Sequence, residues 1–262
     1  MMIAMKIAMK TALQSAAQTV SKCILAITLL IAAPYAASQT VLQPQSQNAT
    51  SSKFLPGLIK QVAIEGANDV ELSQGSIDQV IIEGDTNARN QMELTLADGK
   101  LRIRHQNNWK FWNQSRVKIK ITVRDLFEAS LLGAGDLHVI GLLKVDKLHL
   151  RITGAGDVLV DELNTEELRV SISGAGDVKV AGSARYLAVS IAGSGDFMGE
   201  KLKAVQGKLS IAGAGDIKAW VTEELSASIA GAGAIDYWGN PPKVKQSIAG
   251  VGSVTNRGER PR

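Results

Sequence analysis

Cysteine occurs once, at Cys23, and histidine three times, at His105, His138 and His149. Disulfide frameworks, Cys/His zinc sites and thiol nucleophiles therefore have almost nothing to be built from. Aromatic residues make up only 4% of the chain, which excludes a core assembled around large rings. The longest apolar run, Cys23 to Ala33, is 11 residues, about half of what a membrane-crossing helix needs. Charge of one sign is missing too. The formal net charge of +4 comes largely from Lys6, Lys10 and Lys22, because residues 1–38 contain no acid, and without them 26 basic residues face 25 acidic ones. That balance lacks the basic footprint of a nucleic-acid binder, so no nucleic-acid partner is expected.

Glycine, by contrast, is abundant, with 25 residues, and it is ordered. Seven copies of one motif follow each other: Gly133-Ala-Gly-Asp136, Gly154-Ala-Gly-Asp157, Gly174-Ala-Gly-Asp177, Gly193-Ser-Gly-Asp196, Gly213-Ala-Gly-Asp216, Gly231-Ala-Gly-Ala234 and Gly250-Val-Gly-Ser253. Their first glycines are 21, 20, 19, 20, 18 and 19 residues apart. A period near twenty marks a solenoid, in which one supersecondary unit buries its face against copies of itself.

Parity within a repeat identifies the unit. Leu168, Val170, Ile172, Val178 and Val180 alternate with Arg169, Ser171, Asp177 and Lys179, a period of two that belongs to strands. Two places before each first glycine stand Leu131, Ile152, Ile172, Ile191, Ile211, Ile229 and Ile248; four places after it stand Leu137, Val158, Val178, Phe197, Ile217, Ile235 and Val254. Stacked at the strand spacing of about 4.8 Å, these form interior columns. The fold class is all-β, a parallel β-helix with about 20 residues per coil. Its glycines serve tight corners or close backbone approach rather than phosphate binding, since they lie between strands and no G-K-[ST] follows.

Before the repeats, residues 57–130 hold less regular strands, an irregular N-terminal β cap with the first coils. Met92, Leu94 and Leu96 lead through Asp98-Gly99 to Leu101 and Ile103, a hairpin signal. Gly66-Ala-Asn-Asp69 has the form of a decayed first copy. Residues 39–56 are polar and read as a loose segment, residues 131–256 as the regular β-helix, and 257–262 as a tail. Residues 1–38 read as an export signal, with lysines ahead of the apolar run and small residues at Ala36, Ala37 and Ser38. Cys23 follows Lys22, outside a lipoprotein context, so no lipid anchor is expected. The mature chain is expected to have no transmembrane span.

Three features invite a functional reading. Asp136, Asp157, Asp177, Asp196 and Asp216 form an outward column whose like charges calcium would relieve. With one acid per coil, and Ala234 and Ser253 breaking the column, bonding of each Asp to backbone N–H groups of its own turn is favoured instead. Ser171, Ser190, Ser210, Ser228 and Ser247 form a second column, and Ala192, Ala212, Ala230 and Ala249 a third; this uncharged Ser/Ala face suits self-association or a partner as well as a merely solvated sheet. Trp109, Phe111 and Trp112 cluster between strands, and Tyr237 and Trp238 stand beside Pro241 and Pro242; they are expected to cover the solenoid's ends, with sugar stacking as the other use. No catalytic, metal or cofactor site is assigned.

The string from Val62 to Gly75, the hairpin from Leu94 to Ile103, the strand from Val117 to Val123 and the first Gly-Ala-Gly-Asp at Gly133 resemble the putative auto-transporter adhesin, head GIN domain family, over about residues 58–255. The resemblance implies a right-handed β-helix in an exported bacterial protein, a hand also favoured for parallel crossovers. The expected function is a non-enzymatic adhesion or binding module, periplasmic, outer-membrane associated or secreted in a Gram-negative bacterium, with a glycan or cell-envelope partner. The alternative is a carbohydrate-active enzyme, a polysaccharide lyase or hydrolase on a β-helix.

Overall fold

The computed structural model describes residues 49–54, 58–106 and 117–259. The expected export signal and Trp109, Phe111 and Trp112 lie outside them. The chain is a β-solenoid of about 6 turns with roughly 20 residues per turn. Its coils are strands β9 (Leu137–Gly154), β10 (Val158–Gly174), β11 (Val178–Ile191), β12 (Phe197–Ile211) and β13 (Ile217–Gly231), each bent at a corner, followed by β14 (Ala234–Trp238), β15 (Lys243–Gly250) and β16 (Ser253–Asn256). Every coil pairs in parallel with the next.

The expected interior columns are interior. Leu131, Ile152, Ile172, Ile191, Ile211 and Ile229 are at most 2% exposed, and Leu137 through Ile235 in the second column at most 3%. Only the last coil departs: Ile248 is 45% exposed, and no described coil pairs beyond it.

Both glycine columns owe their identity to the coil beneath. A Cβ on Gly176 would stand 2.0 Å from the Gly156 carbonyl oxygen, and one on Gly174 would stand 1.9 Å from that of Gly154. No side chain fits such a gap. Close backbone approach is thus common to all seven copies, whereas a positive φ recurs only at some of the first glycines, Gly154 at 140° among them.

Hydrogen bonding at this turn is strictly in register, as in Ala155 N–H to the Gly133 carbonyl and Ala175 N–H to that of Gly154. The differences in repeat length are taken up away from this turn, where pairing slips between Val160 and Leu163, Lys179 and Ala181, Gly199 and Lys203, and again Ala204 and Gln206.

The N-terminal end is built differently. Strands β2 (Gln61–Gly66) and β3 (Asp69–Gln74) form a first coil, with Gly66 directly under Gly133, so Gly66-Ala-Asn-Asp69 is a true copy of the motif. Below it the direction of pairing reverses. β6 (Lys100–His105) pairs in parallel with β2 but antiparallel with β5 (Met92–Ala97), through a turn with positive φ at Asp98 and Gly99. β7 (Lys118–Val123) lies under β3 and pairs antiparallel with β4 (Gln79–Gly84); β8 (Glu128–Gly133) then enters the stack. A short helix, α1 (Thr86–Asn90), joins β4 to β5, its first N–H groups held by the Asp85 carboxylate. Ala49–Phe54, in the stretch expected to be loose, forms β1 and pairs antiparallel with β4, giving that strand's edge a partner.

One buried ion pair ties this end together. The Asp78 side chain is 2% exposed and accepts from Arg124 Nη2 at 2.8 Å, Arg124 Nε at 3.1 Å and the backbone N–H groups of Arg124 and Ile59. Burial opposes the charge, but the Arg124 bonds outweigh it and hold the carboxyl below the usual carboxylate range.

Candidate functional site

The aspartate column is a ladder between coils. Asp136 Oδ1 accepts the backbone N–H of Asp157 at 3.1 Å, Asp157 that of Asp177 at 2.9 Å, Asp177 that of Asp196 at 2.9 Å, Asp196 that of Asp216 at 2.8 Å, and Asp216 that of Ala234 at 2.8 Å. The expected bond to each residue's own turn is therefore corrected. Parallel stacking points the next coil's N–H at the carboxylate, and a charge-assisted bond there offsets the repulsion between neighbouring carboxylates. Ala234 receives the last rung without offering another, and Ser253 N–H turns to the Gly233 carbonyl at 3.3 Å. Among the described residues no three His, Cys, Asp or Glu side chains converge to hold a metal ion.

The Ser/Ala face is in register as expected. Ser171, Ser190, Ser210, Ser228 and Ser247 are successive Cα partners, and Ala230 lies beside Ala249. The four alanines Ala192, Ala212, Ala230 and Ala249 are exposed. Toward the N-terminus charges replace hydroxyls on this face, where Arg151 pairs with Glu128 at 3.5 Å.

The histidines are dispersed. His138 Nε2 lies 2.7 Å from Asp161 Oδ1, and that bond keeps the Asp161 carboxyl below its ordinary range. His149 packs against Phe127 with ring centroids 4.7 Å apart and planes tilted by 46°, and burial pushes its pKa down. His105 reaches Asn68 Oδ1 at 2.8 Å and is likewise lowered by burial. A shallow groove of about 370 Å³ lies between Asp69, Glu71, Lys118, Asp136 and His138. There Glu71 pairs with Lys118 at 2.6 Å and His138 with Asp161, so its principal acid–base groups are already engaged.

The aromatic residues differ from expectation. Tyr237, 5% exposed, fills the interior, and β16 pairs above β14, so neither Tyr237 nor Trp238 covers the end. Trp238 is instead the strand neighbour of Trp220, over whose ring Lys203 Nζ sits 5.7 Å from the centroid. Trp220 and Lys203 stand outside the motif period and gave no signal in the sequence.

A family model described as putative auto-transporter adhesin, head GIN domain, matches residues 60–241. Among solved structures, a putative adhesin from Bacteroides fragilis is 28% identical with a TM-score of 0.77, the match covering 82% of this chain and 99% of that one. A putative lipid binding protein from Parabacteroides distasonis, 22% identical with a TM-score of 0.66 over 80% of this chain and 97% of that one, shares the fold. So does a putative adhesin from Parabacteroides merdae, 23% identical with a TM-score of 0.65 over 80% and 96%. No curated protein is significantly similar to the chain.

Proposed function

The chain belongs to the putative auto-transporter adhesin, head GIN domain family, and from that premise we propose that it is an exported, non-enzymatic binding module. It acts at the surface or in the periplasm of a Gram-negative cell and docks a glycan or other cell-envelope component on the flat Ser/Ala face. The observation that carries this reading is the registered face itself, five serines in successive coils flanked by exposed alanines. Small uncharged side chains let an extended partner approach the sheet closely, and hydroxyls at one spacing suit a repeating polymer. The adhesin description of the Bacteroides fragilis neighbour supports adhesion. Dispersed, pairwise-engaged ionisable groups support binding over catalysis.

Binding to an array of envelope polysaccharides and glycans, with cell fractionation to place the protein, tests this. The Ala212→Lys/Ala230→Lys double variant puts two long cations on the face without touching the interior columns, and is expected to lose at least about tenfold in affinity. Undiminished binding by the double variant, or none by the parent protein, removes the face as the docking site. Light scattering of both proteins tests the same face for self-association.

A further inference from the structure

The last coil presents an unfinished sheet. β15 pairs with β13 on one side only, and every residue from Lys243 to Gly250 is exposed. Val244, 38% exposed, and Ile248, 45% exposed, continue columns that are buried one coil earlier at Leu225 and Ile229. Between them Gln246 takes the inward position held by the buried Ala227. We propose that this edge is an interface for a second copy of the chain, joined end to end about a two-fold axis at Gln246, with β15 antiparallel to its counterpart.

The residues along the strand select that arrangement. Pairing about Gln246 sets Val244 opposite the other copy's Ile248, Gln246 opposite Gln246, Lys245 opposite Ser247 and Lys243 opposite Ala249. Apolar meets apolar, carboxamide meets carboxamide, and no charge meets its like. Slipping by two residues one way places Lys245 against its own copy; slipping the other way places Ile248 against Gln246. A slip of one residue turns the inward set outward. Two copies of the same free edge can meet with both inward sets turned inward only when the strands run antiparallel, so symmetry itself leaves the antiparallel register open. Among the described residues the N-terminal end reverses into antiparallel strands and offers no equivalent coil, so the assembly closes at two copies.

Sedimentation equilibrium of the protein, purified in the form the producing cell accumulates, should show a monomer–dimer equilibrium without larger species. Ser247→Lys opposes Lys245 twice across the axis and should weaken dimerisation at least about tenfold, while Ser247→Glu should strengthen it. The Lys245→Glu/Ser247→Lys pair restores opposite charges and should recover the parent affinity, a result specific to this register. Thermal melts confirm that each variant is folded. A monomer up to millimolar concentration, open-ended polymers, or indifference to Ser247→Lys would overturn the proposal. Loss of the dimer only in the Ala212→Lys/Ala230→Lys variant would overturn it in favour of the Ser/Ala face.

Discussion

The two ends of the solenoid lose the motif in different places, and the difference shows which way each contact points. At the N-terminal end the second glycine is replaced, by Asn68; at the C-terminal end the aspartate is replaced, by Ala234 and Ser253. Each glycine makes room for a carbonyl of the coil below: a Cβ on Gly135 would stand 2.2 Å from the Asn68 oxygen. Asn68 is at the bottom of the glycine column and is free to carry a side chain, which it uses to bond Glu65 and His105. Each aspartate serves the coil above. The topmost described copy, at Ser253, has no described coil above it, so a carboxylate there would have no N–H to accept, whereas Ala234 lies under the Ser253 N–H, which goes to the Gly233 carbonyl instead. Asn68 and Ser253 are therefore positions that a one-way stack releases from constraint, while Ala234 gives up a rung it could still make.

The sharpest break of this comparison uses one column at two heights. Ile191→Asp buries an unpaired charge and is expected to cost more than about 4 kcal/mol, whereas Ile248→Asp, at a half-exposed position, should cost under about 1 kcal/mol. Urea melts at dilute protein concentration measure both. Equal costs would mean that the last coil is covered after all.

The N-terminal end depends on Asp78. Because its folded pKa lies below the unfolded value near 3.9, its stabilising charge is fully present above that value and is lost as pH falls through the folded one. Asp78→Asn should cost about 2 kcal/mol at pH 7, allowing for screening at the half-exposed Arg124, and the gap from the parent should close in acid. Melts from pH 7 to pH 2, with hydrogen exchange at β4 and β7, check this; a gap independent of pH removes the charge as its cause.

The ladder gives the smallest effects, of opposite sign. Asp177→Ala leaves the Asp196 N–H without its acceptor and should cost about 1 kcal/mol. Ala234→Asp adds a rung toward Ser253, replacing a 3.3 Å bond, and should stabilise by about 0.5 kcal/mol. If Ala234→Asp destabilises instead, neighbouring charge outweighs the bond.

Parity made the interior columns legible, because alternation of Ile, Val and Leu with polar residues needs no knowledge of neighbours. The glycine pairs were legible as corners, yet the gap they protect belongs to another coil some twenty residues away. The same distance hid the partner of each aspartate: Asp157 bonds Asp177, and local turn chemistry contains no trace of that. Ile248 repeats the pattern of Ile229, so nothing local distinguishes an interior residue from one left at the rim. The Ser/Ala face was visible as a pattern; the docking role proposed for it rests on chemistry that composition alone does not select.

Registry at the glycine turn is uniform, while the slack is absorbed away from it, near Val160, Lys179, Gly199 and Ala204. That division gives the molecule a rigid spine and a tolerant margin. Extra residues inserted at the margin are expected to bulge outward and leave the rungs of the glycine turn in register. A foreign peptide displayed there would repeat at the pitch of the coils, which makes the margin a natural graft site for presenting several copies of one epitope in a row.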